Sequence, residues 1–584
     1  MKEKFGYIIN AKEKRGCLWL LLLMVLGSLL ELLAVAVFNP FVQLLMDPGT
    51  IERNQLLHTV YYGLGLRSLN RFLGMIALGI IILYVVKGFY MIWVQHRLLK
   101  YSYGIQERIT GRLITTYMSE PYTFHLNKNV SEIQRCLQND SKQFMQVILY
   151  SLQLVTEVII SLVLAIYLFT LSKTISVMVL LLLGICLGFF LVVSKKISGK
   201  IGARNLKYST KIFQWINQSF GGIKEVKVLH RERFFVDTYR SYFQKFTKGA
   251  RQNQLLGLLP KYVIEAVCIS GMLVAVIIKM MFGQGDLVEF VPQISTFAVA
   301  AFKMLPSVGK INSYVNSIIY ALPSVGVIYD DLREIENHSA QLKEEKADES
   351  LWHFEDAIEI RNVVYRYPET DKVVIDHVSF PVKKGNVTAF IGASGAGKTT
   401  MADIMLGLLV PEEGGVFVDG RNIADNMALW HKHLGYISQV IYLSDDTIRN
   451  NIAFGMYADE IDDKKIWEAL TKAQLADFVR GLPEQLDTMV GDRGVRISGG
   501  QRQRIGIARA LYHDPDILIL DEATSALDNE TERAVMESID SLRGEKTLVI
   551  IAHRLTTIRN ADAVYEFEAG HARLKDKEEI FAAL

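Results

Sequence analysis

Cysteine is scarce in this 584-residue chain: Cys17, Cys136, Cys186 and Cys268 are the four, at no spacing that would ligate a metal. They are expected to serve as small buried hydrophobes rather than as a disulfide or zinc framework. Net charge is slight, +2 at pH 7, which leaves no electrostatic footprint for a nucleic-acid partner. There is no internal repeat and no low-complexity tract. No small-residue cleavage site follows the first apolar run, which is too long for a signal-peptide core, so it is expected to remain as a span.

Apolar residues, in contrast, are abundant. Half of the residues are hydrophobic, mean hydropathy is +0.20, and there are 28 Phe and 25 Tyr. The long apolar runs are all N-terminal: about Leu18 to Leu45, Phe72 to Val94, Phe144 to Leu171, Ile175 to Val193, Tyr262 to Met281 and Val288 to Val308. Each approaches or exceeds the ~20 residues that a helix needs to cross a bilayer, so six spans are predicted. A soluble mechanoenzyme acting on DNA is thereby excluded. The opening MKEKFGYIINAKEKRG mixes basic and apolar residues, as does an elbow helix lying along the cytoplasmic surface.

Lys and Arg collect between particular spans. Lys195 to Arg251 carries fourteen of them against three acids, and Arg97 to Lys142 carries seven. The positive-inside rule then puts both termini and both long connections in the cytoplasm. These connections have few breakers and are expected to extend the helices, with tips near Glu120 to Asn127 and Gln218 to Lys227. From Asn312 the chain turns polar, and HSAQLKEEKADES is the most linker-like stretch. The expected division is a membrane domain over 1–320, a linker over 321–350 and a second domain over 351–584.

In that second domain IGASGAGKTT, Ile391 to Thr400, fits the phosphate-loop pattern with Gly392, Gly397, Lys398 and Thr399. It follows the strand-type run NVTAFI and opens into a helical stretch. The backbone N–H groups from Gly392 through Ala393, Ser394, Gly395, Ala396 and Gly397 to Thr400 would cradle phosphates; Lys398 adds fixed charge and Thr399 can ligate Mg²⁺. About 120 residues on, DILILDEATSALD reads as a buried strand ending in Asp521, placed to hold the Mg²⁺ shell, and Glu522, placed to activate a water. Between them, in ISGGQRQRIGIARAL, Ser498, Gly499 and Gly500 form a second anion-binding turn, joined by Gln501.

With Gln439 in GYISQ, His553 in IIAHR and Tyr367 in YRYPET, 31 residues before Lys398, the segment from about Trp352 onward resembles the nucleotide-binding domain of ATP-binding cassette transporters. The resemblance implies that Tyr367 stacks on adenine, that Gln439 touches Mg²⁺ and senses the transport domain, and that His553 contacts the γ-phosphate. Ile497 stands where the family usually has leucine, a nearly volume-conserving change. TMVGDRG, Thr488 to Gly494, looks like the loop that exporters of this family carry. In such proteins each ATP lies between the phosphate loop of one cassette and the signature of another, which implies a homodimer of half-transporters. The fold class expected is an α-helical six-span membrane domain followed by an α/β P-loop ATPase domain with ABC-type β and helical subdomains.

What crosses is read from the membrane half. Glu31, Lys87, Glu157, Lys261, Glu265, Lys303 and Lys310 sit in or at the cytoplasmic ends of apolar runs, where charge is expensive and faces a cavity or another charge. Thr296, Lys303 and Lys310 share one helix face, and Lys87 and Lys303 fall roughly 22 to 24 Å from the outer ends at ~1.5 Å per residue. Lys87, Lys261, Lys303 and Lys310 could form a basic belt for an anionic head; alternatively Lys261 pairs with Glu265 and the others snorkel. The long outer connection Asp47 to Arg71 can gather Ile51, Leu56, Leu57, Val60, Tyr61 and Leu64 on one side of an interfacial helix. As a whole the membrane half resembles the PglK-type flippases of lipid-linked oligosaccharides. That resemblance implies an ATP- and Mg²⁺-dependent bacterial inner-membrane flippase for a polyprenyl diphosphate oligosaccharide, among membrane lipids. Export of another amphiphile, or an ATP-gated channel or regulator, are the alternatives.

Overall fold

The computed structural model describes residues 2–46, 68–171, 173–282, 287–339, 352–368, 370–491, 494, 496–521, 529–552 and 560–582, with Thr59, Tyr61 and Gly63. The chain divides into two compact units: Met1–Glu120 with Phe124–Gln341, and Leu342–Leu584 with Pro121–Thr123.

The first unit is helical. After a short helix at Lys2–Ile8 come α1 (Ala11–Met46), α2 (Leu69–Ser119), α3 (Ser141–Leu171), α4 (Lys173–Gly221), α5 (Glu232–Phe282) and α6 (Leu287–Ser339). Each of the six apolar runs lies on one of these helices. Among the described residues, four segments are apolar and long enough to cross a membrane: Leu69–Ser119, Val130–Ile166, Leu181–Gly221 and Leu305–Arg333. The basic connections continue the helices, and short helices stand at both expected tips, Tyr122–Asn127 and Ile223–Val228. The opening helix is fastened to α2 by Arg108, which donates to Glu13 and to the Ile8 carbonyl. The outer connection lies mostly outside the described residues; within it Tyr61 packs edge-on against Phe72.

α6 runs through the first half of the segment expected to be linker. Ala321, Val325, Ile328 and Leu332 keep one apolar face buried at helical spacing there, so polarity on the other faces did not end the helix. The lower halves of α4, α5 and α6 are joined by buried amides. Asn316 receives Ser198 Oγ–H and donates to the Asn253 carbonyl at 2.8 Å, while Asn312 donates to the Leu256 carbonyl at 3.2 Å. These groups have no water to turn to, and each amide finds its partner across a helix boundary. Gly202 permits the contact, since a Cβ there would fall 2.2 Å from the Tyr320 carbonyl oxygen.

The second unit is α/β. A six-stranded sheet has the order β10-β9-β3-β8-β7-β6, built from β3 (Val387–Gly392), β6 (Leu434–Ile437), β7 (Ile517–Asp521), β8 (Thr547–Ile551), β9 (Ala563–Glu568) and β10 (His571–Leu574). All neighbours are parallel except β9 and β10. β7 and β8 are buried at every position, as continuous apolar runs in a parallel sheet require. A smaller antiparallel sheet contains β1 (Ala357–Arg366), β2 (Val373–Lys383), β4 (Glu413–Val418) and β5 (Arg421–Asn422).

The Gly202 approach makes a stability prediction. Gly202→Ala should lower stability by ~1–3 kcal/mol, the scale of overpacking, read as an earlier thermal unfolding midpoint in detergent. Gly104→Ala, on α2 with nothing within 4 Å, should not. Equal midpoints for the two variants would remove this packing argument.

Candidate functional site

The parallel strands align their C-terminal ends along one edge of the sheet, where the phosphate loop follows β3, Asp521 ends β7 and Gln439 follows β6. The phosphate loop joins β3 to α7 (Lys398–Met405). Gly392 has φ 134° and Gly397 φ 107°; Cβ atoms there would fall 2.2 Å from the Phe567 carbonyl oxygen and 2.7 Å from Ile375 Cδ1. Only glycine fits either place. Ala393, Ser394 and Gly395 are exposed, whereas Lys398 is buried and donates from Nζ to the Gly392 and Ala393 carbonyls at 2.7 and 3.0 Å. The ammonium is thus already held over the loop. Tyr367, partly buried, is tied to the same helix through its hydroxyl and Thr400 Oγ1 at 3.1 Å.

Asp521 ends β7, buried, with Ile551 of β8 as its register partner. Its charge is felt by Asp403 of α7, whose carboxyl is pushed up to about 6, by burial first and Asp521 second. Burial, then Asp521 and Asp403, likewise raise the Tyr436 phenol on β6. Gln439 lies exposed in the turn just after β6.

Ser498 caps the helix α8 (Gly499–Leu511) in a capping box: its backbone N–H donates to Gln501 Oε1 at 2.9 Å, and the Gln501 N–H donates to Ser498 Oγ at 3.3 Å. Gly499 carries no neighbour within 4 Å of a Cβ, and Gly500 is buried. Ile497 packs on the apolar core beside it. The signature helix is bound to the segment following Gln439 by Arg509, which donates to the carbonyls of Tyr442 and Asn451 at 2.8 and 2.7 Å. That segment also exchanges backbone bonds with the TMVGDRG loop, Ile448 to Thr488 and Val490 to Asp446, both at 3.0 Å. Glu522 and His553 lie outside the described residues.

In the membrane unit Lys87 pairs with Glu31 at 2.8 Å and Lys310 with Glu157 at 2.7 Å. Lys261 is exposed, its ammonium 5.6 Å from the Tyr262 ring centre. The side chain of Lys303 lies outside the described residues. Glu31, Glu157 and Lys310 line one cavity of about 370 Å³ between α1, α2, α3 and α6.

A family profile described as ABC transporter matches residues 375–525, and one described as ABC transporter transmembrane region matches 17–284. An ATP-dependent lipid A-core flippase of Cupriavidus metallidurans is 30% identical over 500 residues, 83% of this chain and 82% of that protein. The chain belongs to the ABC transporter family. A flippase of the same description from Bordetella pertussis is 30% identical over 448 residues, covering 74% of this chain and 69% of its own. A solved bacterial Atm1-family ABC exporter with ATP bound matches with TM-score 0.75 over 98% of this chain and 97% of that one; at 22% identity this likeness concerns the fold.

The α/β unit of this transporter is accordingly an ATPase coupled to a membrane transport domain. ATP and Mg²⁺ fit the residues in place, because the glycine cradle admits backbone but no side chain and Asp521 puts a carboxylate at the strand end. Thr399, Asp521 and Gln439 would hold the ion, whose charge offsets that of the phosphates.

Three contributors, Asp403, Trp430 and His431, escaped the sequence reading. Asp403 becomes adjacent to Asp521 only through the pairing of α7 with the sheet. Trp430 and His431 cap the end of α7 by bonding the Met405 and Leu406 carbonyls at 2.9 and 2.8 Å, and an indole and imidazole 25 residues away carry no local signal. The Ser498–Gln501 box was not read from the sequence either, although S-x-x-Q ahead of a helix is its local signal.

A raised carboxyl pKa means that folding disfavours ionised Asp403. Its favourable contribution is complete below the unfolded value and is lost as pH rises through about 6. Asp403→Asn should therefore raise the unfolding midpoint of the nucleotide-free transporter at about pH 8, with the gain disappearing towards about pH 4. A gain independent of pH would show that Asp521 and burial do not govern this carboxyl.

Proposed function

We propose that this transporter is an ATP-driven lipid flippase of the bacterial inner membrane, working as a homodimer with both termini cytoplasmic. The observation that carries the reading is the lipid A-core flippase relative, whose similarity extends over 82% of its length and so takes in membrane helices as well as the cassette. The charged cavity between apolar helices supports it, since ionisable side chains at such depth are expensive unless a polar cargo or a partner needs them. A lipid-linked oligosaccharide on a polyprenyl diphosphate carrier is the finer substrate reading. Another lipid, as the relatives' name gives lipid A-core for them, is the second.

The dimer follows from one cassette carrying one phosphate loop and one signature, Ser498 to Gln501. In the proposed cycle two chains close on two ATP, Glu522 activates the attacking water, His553 contacts the γ-phosphate, and Gln439 reports the state of the site to the membrane helices.

Hydrolysis and lipid movement should be separable in one preparation. With the protein in sealed vesicles, wild type should move a fluorescent glycolipid between leaflets only with ATP and Mg²⁺. Glu522→Gln should keep ATP binding while turnover falls by at least ~100-fold, the scale of a lost positioned base, and lipid movement should stop with it. Wild-type hydrolysis with no lipid movement would refute the flippase. Transport by Glu522→Gln without turnover would favour an ATP-gated path instead.

A further inference from the structure

Three charged side chains, Glu31, Glu157 and Lys310, line the cavity between α1, α2, α3 and α6, and Lys87, outside the lining, pairs with Glu31, so the charges of the two ion pairs cancel. Glu31 of α1 is in contact with Lys87 of α2, and Glu157 of α3, only 8% exposed, with Lys310 of α6. Each lysine therefore already has an anion, supplied by the protein. A phosphate entering here has two options. It can displace a carboxylate from its lysine, leaving Glu157 buried without its counter-charge, which is strongly unfavourable. Otherwise it adds negative charge beside two carboxylates that stay in place, which like-charge repulsion opposes.

A hydroxyl-rich head meets neither cost. An ionised carboxylate offers about four lone-pair sites, so one held by a lysine can still accept O–H donors. Gln95 and Gln153, which line the same cavity, each offer an amide that donates and accepts, and Tyr314 adds a phenol. Sugar hydroxyls likewise donate and accept, and they bring no charge to neutralise. The geometry points to a glycosyl-binding site: we propose that this cavity holds the uncharged, hydroxyl-bearing part of the substrate head, with Glu31 and Glu157 as hydrogen-bond acceptors, and leaves any anionic linkage outside. This inference rests on the lipid-flippase reading and names which part of the lipid the cavity selects.

The test turns on opposite signs. The full-length protein is reconstituted in phosphatidylcholine vesicles carrying either digalactosyl diacylglycerol or phosphatidic acid, and lipid-stimulated ATPase and lipid translocation are measured. The glycolipid should stimulate hydrolysis and phosphatidic acid should not. Glu157→Gln and Glu31→Gln should each weaken the glycolipid's half-maximal effect, measured over each variant's own basal hydrolysis, by about ten-fold or more, the scale of a lost hydrogen bond to a charged group. Should Glu157→Gln unfold because Lys310 is stranded, the neutral pair Glu157→Gln/Lys310→Gln carries the same expectation. If phosphatidic acid stimulates instead, and freeing Lys310 by Glu157→Gln strengthens it, the cavity is an anion site and the inference is overturned while the flippase stands. Glycolipid stimulation unaltered in every variant overturns it equally. Should a hydrolysing protein translocate neither lipid, the flippase reading itself fails, and the inference with it.

Discussion

The close approach of Gly392 to the Phe567 carbonyl sets the geometry on which the ATPase unit depends. β3 can pair with β9 up to its last residue only because no Cβ intervenes, and the phosphate loop therefore leaves the sheet at a fixed height. β7 ends beside β8, which lies next to β3, so Asp521 reaches the same edge of the sheet. Lys398, folded back on the Gly392 and Ala393 carbonyls, holds the loop in shape before a phosphate arrives. A site organised in this way needs little rearrangement to receive its ligand. The helix that carries the lysine is also secured at its far end, where Trp430 and His431 satisfy carbonyls that would otherwise be open. The next strand after those two residues leads to Gln439, so the capping segment and the expected sensor of the phosphate site are one continuous piece of chain.

In the membrane unit the governing constraint is satisfaction of polar groups. Asn312 and Asn316 are fully buried and spend their amides on carbonyls of α5. Arg135 is bonded to buried Asp140, which also receives Ser324 Oγ–H at 2.7 Å. The same requirement explains the lysines. A sequence scan registers Lys87 and Lys310 as cations in apolar surroundings, whereas the fold registers them as halves of ion pairs.

This difference marks how far the sequence could be read. Six apolar runs, the basic connections and the phosphate-loop spacing led to the long helices, the short helices at the tips and the strand–loop–helix over Val387–Met405, because each rests on local spacing or on composition over a window. The extension of α6 beyond Tyr320 was missed, since its buried apolar face there is narrow and the surrounding polarity dominated the reading. Asp403 was missed because its meaning depends on a neighbour 118 positions away. Pairing of Glu31 with Lys87 and of Glu157 with Lys310 joins four helices, and no period within one helix encodes which acid meets which base.

Such pairing bears on specificity more than on affinity. A belt of free lysines would attract any anionic amphiphile, and the membrane contains many of them at high concentration. An ion-paired cavity gives up that long-range attraction, and discrimination passes to short-range hydrogen bonds that must be matched in number and direction. Failure to match is heavily penalised: a lipid lacking hydroxyls would desolvate Glu31, Glu157 and the two glutamine amides without replacing their water, whereas a matching head loses nothing in the exchange. The pairs also join α1 to α2 and α3 to α6 around the same cavity. A head that bonds to both carboxylates therefore bridges two helix pairs, and its binding energy acts on their separation, the coordinate that an alternating-access cycle has to change.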